Sequence, residues 1–353
     1  MLTYKEINGL PDVWSRLARA DEPVCIYGTG DAAERILDIF ELRGIECAGI
    51  FASDGFVRDR EFRGHKVCSL SELEAKLGKF TAVSAFGSSL PDVMSAIDSL
   101  SERHTLLMPD LPVAGSEMFS KKGLLERYEQ YVRVRERFAD EQSREVLDAV
   151  LRYKLTGELS GLCRVFTDPT ADFKRLIAPR EDDIYADLGA YNGDTCELFA
   201  ELCPDYLGIY AFEPDKRSFR KLVKRLESFD NVIAVNACAW SHDGNIGFSQ
   251  SAGRQSQISA GGEVTAARSL DSVLCGGECS VIKFDVEGAE SRALDGSAET
   301  ISRYRPRLAV SAYHRPYDIL DLAEQILSIR GDYTLYLRQP PYYPAWDTMI
   351  YAV

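Results

Sequence analysis

Three short apolar runs in the second half of the chain each end on a carboxylate beside a glycine or a proline. They are Ile184-Tyr185-Ala186-Asp187-Leu188-Gly189, Ala211-Phe212-Glu213-Pro214 and Val281-Ile282-Lys283-Phe284-Asp285, the last running on into Val286-Glu287-Gly288-Ala289-Glu290. A strand buried on both faces of a parallel sheet delivers polar groups to its C-terminal edge in this way. Three such deliveries in one order imply one crevice. They confine the chain to α/β architectures in which strands alternate with helices.

With 353 residues the chain exceeds one average domain and accommodates two. Its formal charge of -14, from 41 basic and 55 acidic residues, argues against a nucleic-acid partner, because affinity for a phosphate backbone rests on Lys and Arg. The opening Met1-Leu2-Thr3-Tyr4-Lys5-Glu6 has no basic segment followed by an apolar core. Nor does any apolar run approach the ~20 residues of a membrane span. A cytoplasmic chain without membrane insertion is the expectation. Nine cysteines are an odd number, and Cys25, Cys47 and Cys238 sit inside strand-like apolar runs, where reduced thiols act as small hydrophobes. Cys275 and Cys279 lack a second Cys or His pair at metal spacing, so no zinc site is expected.

Alternation of strand, glycine turn and helix begins at Val24-Cys25-Ile26-Tyr27, continues through Gly28-Thr29-Gly30-Asp31-Ala32-Ala33, and recurs at Ile45 to Phe51 and Ala82 to Gly87. This marks residues 1–115 as a small parallel α/β unit. Residues 116–180 change character. Leu124, Leu125, Tyr128, Tyr131 and Val132, then Val146, Leu147, Val150 and Leu151, recur at helical spacing among dense mixed charges. They predict two or three amphipathic helices that bridge the domains and also suit a lid over the crevice or a homodimer contact. Residues 181–353 form a second unit, with strands at Ile184 to Leu188, Leu207 to Phe212, Val232 to Asn236, Val281 to Phe284 and Leu308 to Ala312. Tyr333 to Arg338 and Thr348 to Val353 close it as an antiparallel pair.

Around the first of these strands the sequence reads Asp187-Leu188-Gly189-Ala190-Tyr191-Asn192-Gly193-Asp194-Thr195. Gly189 and Gly193 let the backbone approach a ligand, and the following helix offers free amide donors. The pattern departs from the G-x-G-x-x-G turn that passes a pyrophosphate. Glu213, at the end of the next strand and followed by Pro214, stands where nucleotide folds set a carboxylate against ribose hydroxyls.

Together with Ser269-Leu270-Asp271, the segment Lys283-Phe284-Asp285-Val286-Glu287-Gly288-Ala289-Glu290 resembles the hallmark of FkbM-type S-adenosylmethionine-dependent methyltransferases, written K-x-D-x-E-G-x-E. The similarity spans about residues 180–353. The resemblance implies a class I methyltransferase fold with a terminal antiparallel hairpin and S-adenosyl-L-methionine as cofactor. It also implies a cofactor site made of Asp187, Gly189, Ala190, Tyr191, Asn192, Gly193, Asp194, Thr195, Glu213 and Pro214, with Asn236 and Ala237 toward the adenine. O-methyl transfer then needs in-line positioning and removal of a proton from the acceptor hydroxyl. Asp285 at its strand tip and His314, which follows the strand Leu308 to Ala312, are the catalytic candidates. Glu287 and Glu290 serve either the chemistry or the cap of the next helix. Asp285 and Glu287 could together hold Mg²⁺, but the sequence offers no assured third ligand, and a divalent metal is not predicted.

Gly28-Thr29-Gly30, with Asp54 after the second strand, is similar to the turn of the small Rossmann-like domains joined to sugar-modifying enzymes, whose ligand can be a nucleotide-sugar. The expectation is therefore α/β, two Rossmann-like units joined by a helical linker, acting on a hydroxyl of a sugar or glycoconjugate precursor. A polyketide-type acceptor is the variant of this reading. A non-catalytic protein binding a nucleotide-sugar or a nicotinamide nucleotide is the reading from another class.

Overall fold

The computed structural model describes residues 1–57, 61–249, 257–258 and 263–353, and its architecture is α/β with parallel-dominated sheets. The first sheet contains β1 (Val24–Tyr27), β2 (Gly49–Ala52), β3 (Glu61–Phe62), β4 (His65–Ser69), β5 (Thr81–Ser84) and β6 (Thr105–Leu107), in the order β3-β4-β2-β1-β5-β6. All its pairings are parallel except β3 with β4. Every residue of β1 and β5 is buried, as central strands covered by helices on both faces must be.

The second half of the chain supplies β7 (Ile184–Leu188), β8 (Gly208–Phe212), β9 (Val232–Val235), β10 (Cys238–Ala239), β11 (Gly244–Ser249), β12 (Gln257–Ile258) and β13 (Glu263–Arg268). After these come β14 (Val281–Phe284), β15 (Arg307–Ser311), β16 (Leu335–Arg338) and β17 (Met349–Ala352). Seven of these strands form one sheet in the order β16-β17-β15-β14-β7-β8-β9. β17 inserts antiparallel between β15 and β16, so the two C-terminal runs close the sheet as the sequence pattern predicts. Strand order reverses between β7 and β14, which pair in parallel, and the crevice at such a reversal is where open α/β sheets bind ligands. A four-stranded sheet, β10-β13-β11-β12, lies between β9 and β14 in sequence and has no counterpart in the sequence reading. Its strands lack the apolar run that betrays a buried strand: Gly244, Asn245 and Val264 are exposed.

The helices Lys121–Glu126, Tyr128–Arg137 and Glu141–Thr156 bury the stripe read from the sequence, with Leu124, Tyr131, Val146, Leu147, Val150 and Leu151 inside. They share one continuous core with Leu320, Ile326, Leu335 and Leu337 of the C-terminal half, so they are structural members of it rather than a tether. Polar contacts fix the junction. Leu337 N donates to Ser143 Oγ at 2.9 Å, and the buried Arg338 guanidinium pairs with Asp140 at 2.5 Å. On the other side Lys154 Nζ meets Asp110 at 3.0 Å, both side chains buried. Removing one partner of such a pair costs about 3–5 kcal/mol, because the other charge is left buried and unmatched. Among the described residues no helix is long and apolar enough to cross a membrane.

Candidate active site

A cavity of about 900 Å³ opens at the C-terminal edge of the seven-stranded sheet. It is walled by Gly189, Tyr191, Asp194 and Thr195 after β7, Glu213 and Pro214 after β8, Ala237 and Cys238 after β9, and Asp285 and Glu287 after β14. The sheet thus brings together residues that lie about a hundred positions apart in sequence, because parallel strands stack their C-terminal ends on one edge.

The glycine loop is held from both sides. The amides of Gly189 and Ala190 donate to Phe212 O at 3.1 and 2.8 Å, and Asp285 N donates to Leu188 O at 2.9 Å. Gly189 has φ +95°, and a Cβ there would stand 1.9 Å from the Asp285 carbonyl oxygen. Only glycine fits this crossing. Tyr191 takes φ +46°, and Gly193, at +85°, turns the chain into the helix Asp194–Leu202. Asn192 Oδ1 accepts from Asp194 N at 3.2 Å and from Arg225 at 2.9 Å, and its side chain is not part of the cavity wall.

The acids divide by environment. Asp187 is wholly buried and accepts from the Thr195 hydroxyl and from Lys283 Nζ at 3.2 Å, so its carboxylate braces the loop from behind. Glu213 faces the cavity with little exposed surface, and burial pushes its carboxyl up to about 7 although Asp215 N donates to it at 2.7 Å. Asn236 Nδ2 donates to the carbonyls of Glu213 and Pro214 at 2.8 and 3.2 Å and thereby holds the turn after β8; Ala237, not Asn236, lines the cavity.

On the opposite wall Asp285 is a third exposed and accepts from Ser311 Oγ at 2.9 Å, with Lys283 Nζ at 3.5 Å. Burial works against its ionisation, but Lys283, His314 and Ser311 prevail and its carboxyl lies below the usual range. Glu287 is also a third exposed and sits at φ +53°, a conformation that costs a non-glycine residue about 1–3 kcal/mol. Its strain is sustained by the turn around it: the buried Glu290 accepts from Val286 N at 2.9 Å and Gly288 N at 3.3 Å. Burial raises the Glu287 carboxyl.

His314 has no exposed surface and is not part of the cavity wall. It lies behind the acids, its Nε2 3.8 Å from Asp285 Oδ1 and 3.5 Å from Glu287 Oε2, its Nδ1 3.0 Å from Glu290 Oε1. Neither ring nitrogen makes an aligned hydrogen bond. Burial favours the neutral ring, yet Glu290, Glu287 and Asp285 outweigh it and raise His314 well above its ordinary value. Both ring nitrogens face carboxylates and His314 is not in the cavity wall, so the geometry gives His314 a place behind the acids that line the cavity.

The wall also includes Lys283, Ser311 and Tyr313, and Asp347 and Met349 from the C-terminal hairpin. Lys283 stands inside the motif and its spacing from Asp285 was a readable signal. Asp347 carries none, since only the chain reversal before β17 brings it there.

In the first sheet Gly28 has φ +109° and packs under Phe86, whose ring would meet a Cβ there at 2.8 Å. Gly30 caps the helix Asp31–Arg43 with no side-chain bond, and Thr29 lies between the two glycines. Asp54 accepts from Ser71 N at 3.2 Å and from Ser71 Oγ at 2.5 Å, so its carboxylate secures the start of the helix Leu70–Leu77.

Residues 187–333 match the family model of the methyltransferase FkbM domain, and this part of the chain is a methyltransferase domain. Among solved structures, the methyltransferase FkbM from Methylobacillus flagellatus KT is 21% identical, covers 96% of this chain and 92% of its own, and superposes with a TM-score of 0.74. At that identity the match establishes a common fold, and it spans nearly the whole chain. An rRNA methylase from Streptococcus thermophilus is 15% identical over 52% of this chain and 91% of its own, with a TM-score of 0.35. Aeropyrum pernix fibrillarin in complex with S-adenosyl-L-methionine is 14% identical over 50% and 69%, with a TM-score of 0.34. No curated protein matches the chain.

Proposed function

We propose that this chain, whose residues 187–333 are a methyltransferase FkbM domain, transfers a methyl group from S-adenosyl-L-methionine to a hydroxyl of a sugar or glycoconjugate precursor. The observation that carries the reading is one cavity with Glu213 on one wall, the carboxylates of Asp285 and Glu287 on the other, and the Gly189 crossing between them. A backbone that admits no Cβ and a nearly buried acid facing the cavity suit a nucleoside with vicinal hydroxyls. Glu213 and Tyr191 would hold the cofactor, with the Gly189 turn passing close against it, and the cofactor supplies an electrophilic methyl on a sulfonium.

What remains for the protein is to aim the acceptor and remove its proton. Asp285 and Glu287 accept hydrogen bonds from the acceptor hydroxyl, and the Ser311 hydroxyl fixes Asp285 in place. The cavity also runs past Phe173, Leu198 and Met349, which gives the acceptor an apolar wall. A polyketide-type acceptor would use the same wall. The reading places the protein in the cytoplasm with a small-molecule or saccharide acceptor and no nucleic-acid partner, consistent with its net charge of -14.

Calorimetry with S-adenosylhomocysteine tests the core of the proposal. The wild type is expected to bind it and Glu213→Ala to bind it at least tenfold more weakly, as the loss of a charged hydrogen-bond acceptor implies. Undiminished binding by the variant would refute the assigned pocket. Thermal stabilisation by nucleotide-sugars or NAD alone, without a response to S-adenosylmethionine, would instead favour a non-catalytic nucleotide-binding protein. A mass-shift screen of saccharide acceptors then identifies the substrate.

A further inference from the structure

The sequence offers Asp285 and Glu287 and no assured third ligand for a metal; the fold supplies one. We infer that Asp285, Glu287 and the Nε2 of His314 bind one divalent cation of the Mg²⁺ or Mn²⁺ type, with Glu290 orienting the imidazole from its Nδ1 side. Ligand atoms of Asp285, Glu290 and His314 all lie within 4.8 Å of one another. Nε2 stands 3.8 Å from Asp285 Oδ1 and 3.5 Å from Glu287 Oε2. Adjacent ligands about 2.1 Å from an octahedral ion are about 3.0 Å apart, so each carboxylate, a third exposed, would approach Nε2 by less than about 1 Å on binding.

The independent observation is His314 itself. It is completely buried, it faces three carboxylates, and neither of its nitrogens has a hydrogen-bond partner with proper alignment. Buried polar atoms are nearly always satisfied, and an exception calls for a reason such as an ion. The two nitrogens face different partners. Nδ1 is 3.0 Å from Glu290, which is itself tied to the backbone amides of Val286 and Gly288, while Nε2 points at the acids that reach the cavity. A carboxylate holding one nitrogen while the other meets a metal is the usual outer support of a histidine ligand.

Charge runs the same way. Lys283 is shared with the buried Asp187, which leaves Asp285, Glu287 and Glu290 around one imidazole. Oxygen donors with a single imidazole suit Mg²⁺ and, more closely, Mn²⁺. The inference rests on the proposed role of the cavity, because an ion there would meet the acceptor's hydroxyl oxygen and ease loss of its proton to solvent.

The test uses the full-length protein, stripped with EDTA and titrated with MnCl₂ under electron paramagnetic resonance, with and without S-adenosylhomocysteine. One Mn²⁺ per chain is expected, and His314→Ala and Asp285→Asn should abolish its uptake. Glu290→Gln, a change beyond the ligands, should weaken it by about 10–100-fold. S-adenosylhomocysteine binding, measured on each variant, reports that the fold and the cofactor pocket are intact; Asp285→Asn serves if His314→Ala does not fold. Absence of Mn²⁺ uptake by a wild type that binds S-adenosylhomocysteine overturns the cation site alone, and His314 then carries a proton where the ion was inferred. Uptake that survives both Asp285→Asn and Glu287→Gln overturns it too, by placing the ion elsewhere. Should neither the wild type nor the variants bind S-adenosylhomocysteine, cooperative melting at the wild-type temperature reports that the variants are folded; Mn²⁺ uptake by the wild type that is lost in such variants upholds the site, and it is the cofactor assignment that fails.

Discussion

Glu213 joins the two sides of this protein's energetics in one side chain. Burial disfavours the charge and pushes its carboxyl up to about 7, against an ordinary value of 4.5. Between those values the folded state binds more protons than the unfolded chain, so the contribution of Glu213 to stability falls as pH rises from about 4.5 to 7 and then levels off. At ~1.4 kcal/mol per unit the loss approaches roughly 3 kcal/mol. Glu213→Gln should therefore melt higher than wild type at pH 8, with the difference vanishing at pH 4, while its binding of S-adenosylhomocysteine drops. Melting curves at the two pH values check this; a variant no more stable at pH 8 would show that the carboxylate is not strained by burial. Sequence alone placed Glu213 at a strand end but gave no hint of its protonation, which depends on what covers it. Asp187 has the opposite history. It reads as a ligand residue in sequence, and in the fold its carboxylate is spent on Lys283 and Thr195.

At the level of elements, the tips of β7 and β14 touch through Gly189 and the Asp285 backbone, and this contact sets the distance between the glycine loop and the acids Asp285 and Glu287. Gly189→Ala forces a Cβ to 1.9 Å from a carbonyl oxygen at a φ of +95°. The strand ends must separate, at a cost of about 1–3 kcal/mol for overpacking and at least as much for strain. The expected outcome is a melting temperature lowered by several degrees and loss of S-adenosylhomocysteine binding; retention of both would refute the crossing as the organiser of the site. The turn after β14 is the second such element. Glu290 satisfies the amides of Val286 and Gly288 and thereby holds Glu287 at positive φ. Both roles weighed for these acids in the sequence are thus present, divided between two residues: Glu290 secures the turn and Glu287 faces the cavity.

The whole molecule adds a support that neither half contains. Ala114, in the segment after β6, donates its amide to His314 O at 2.9 Å, and its methyl would lie 2.3 Å from a Cβ on Gly288. The N-terminal unit therefore presses directly on the turn that carries Glu287. Ala114→Leu should lower methyl transfer at least tenfold while leaving the affinity for S-adenosylhomocysteine nearly unchanged, because Glu213 lies on the opposite wall. Turnover and calorimetry on the same preparation separate the two effects, and unaltered turnover would show that the support is dispensable. A second prediction concerns folding. Residues 181–353 expressed alone should aggregate or fail to melt cooperatively, since Leu335, Leu337 and Ile326 share a core with Leu147, Val150 and Leu151. Circular dichroism melting of that fragment decides it.

Local sequence determined the strands that reach the site and the glycine turn that bends the first of them. Runs such as Val281–Phe284 are apolar enough to be buried on both faces, and a carboxylate cannot remain in them except at an end. The family hallmark lies within that same short-range information, as do the amphipathic helices of residues 121–156. Tertiary structure alone decided which acid faces the cavity, that His314 sits behind Asp285 and Glu287, and that Ala114 and Asp347 belong to the site's surroundings. These depend on burial and on contacts between segments far apart in the chain. Desolvation and Coulomb interaction, which set the charge of each group, exist only once those segments meet.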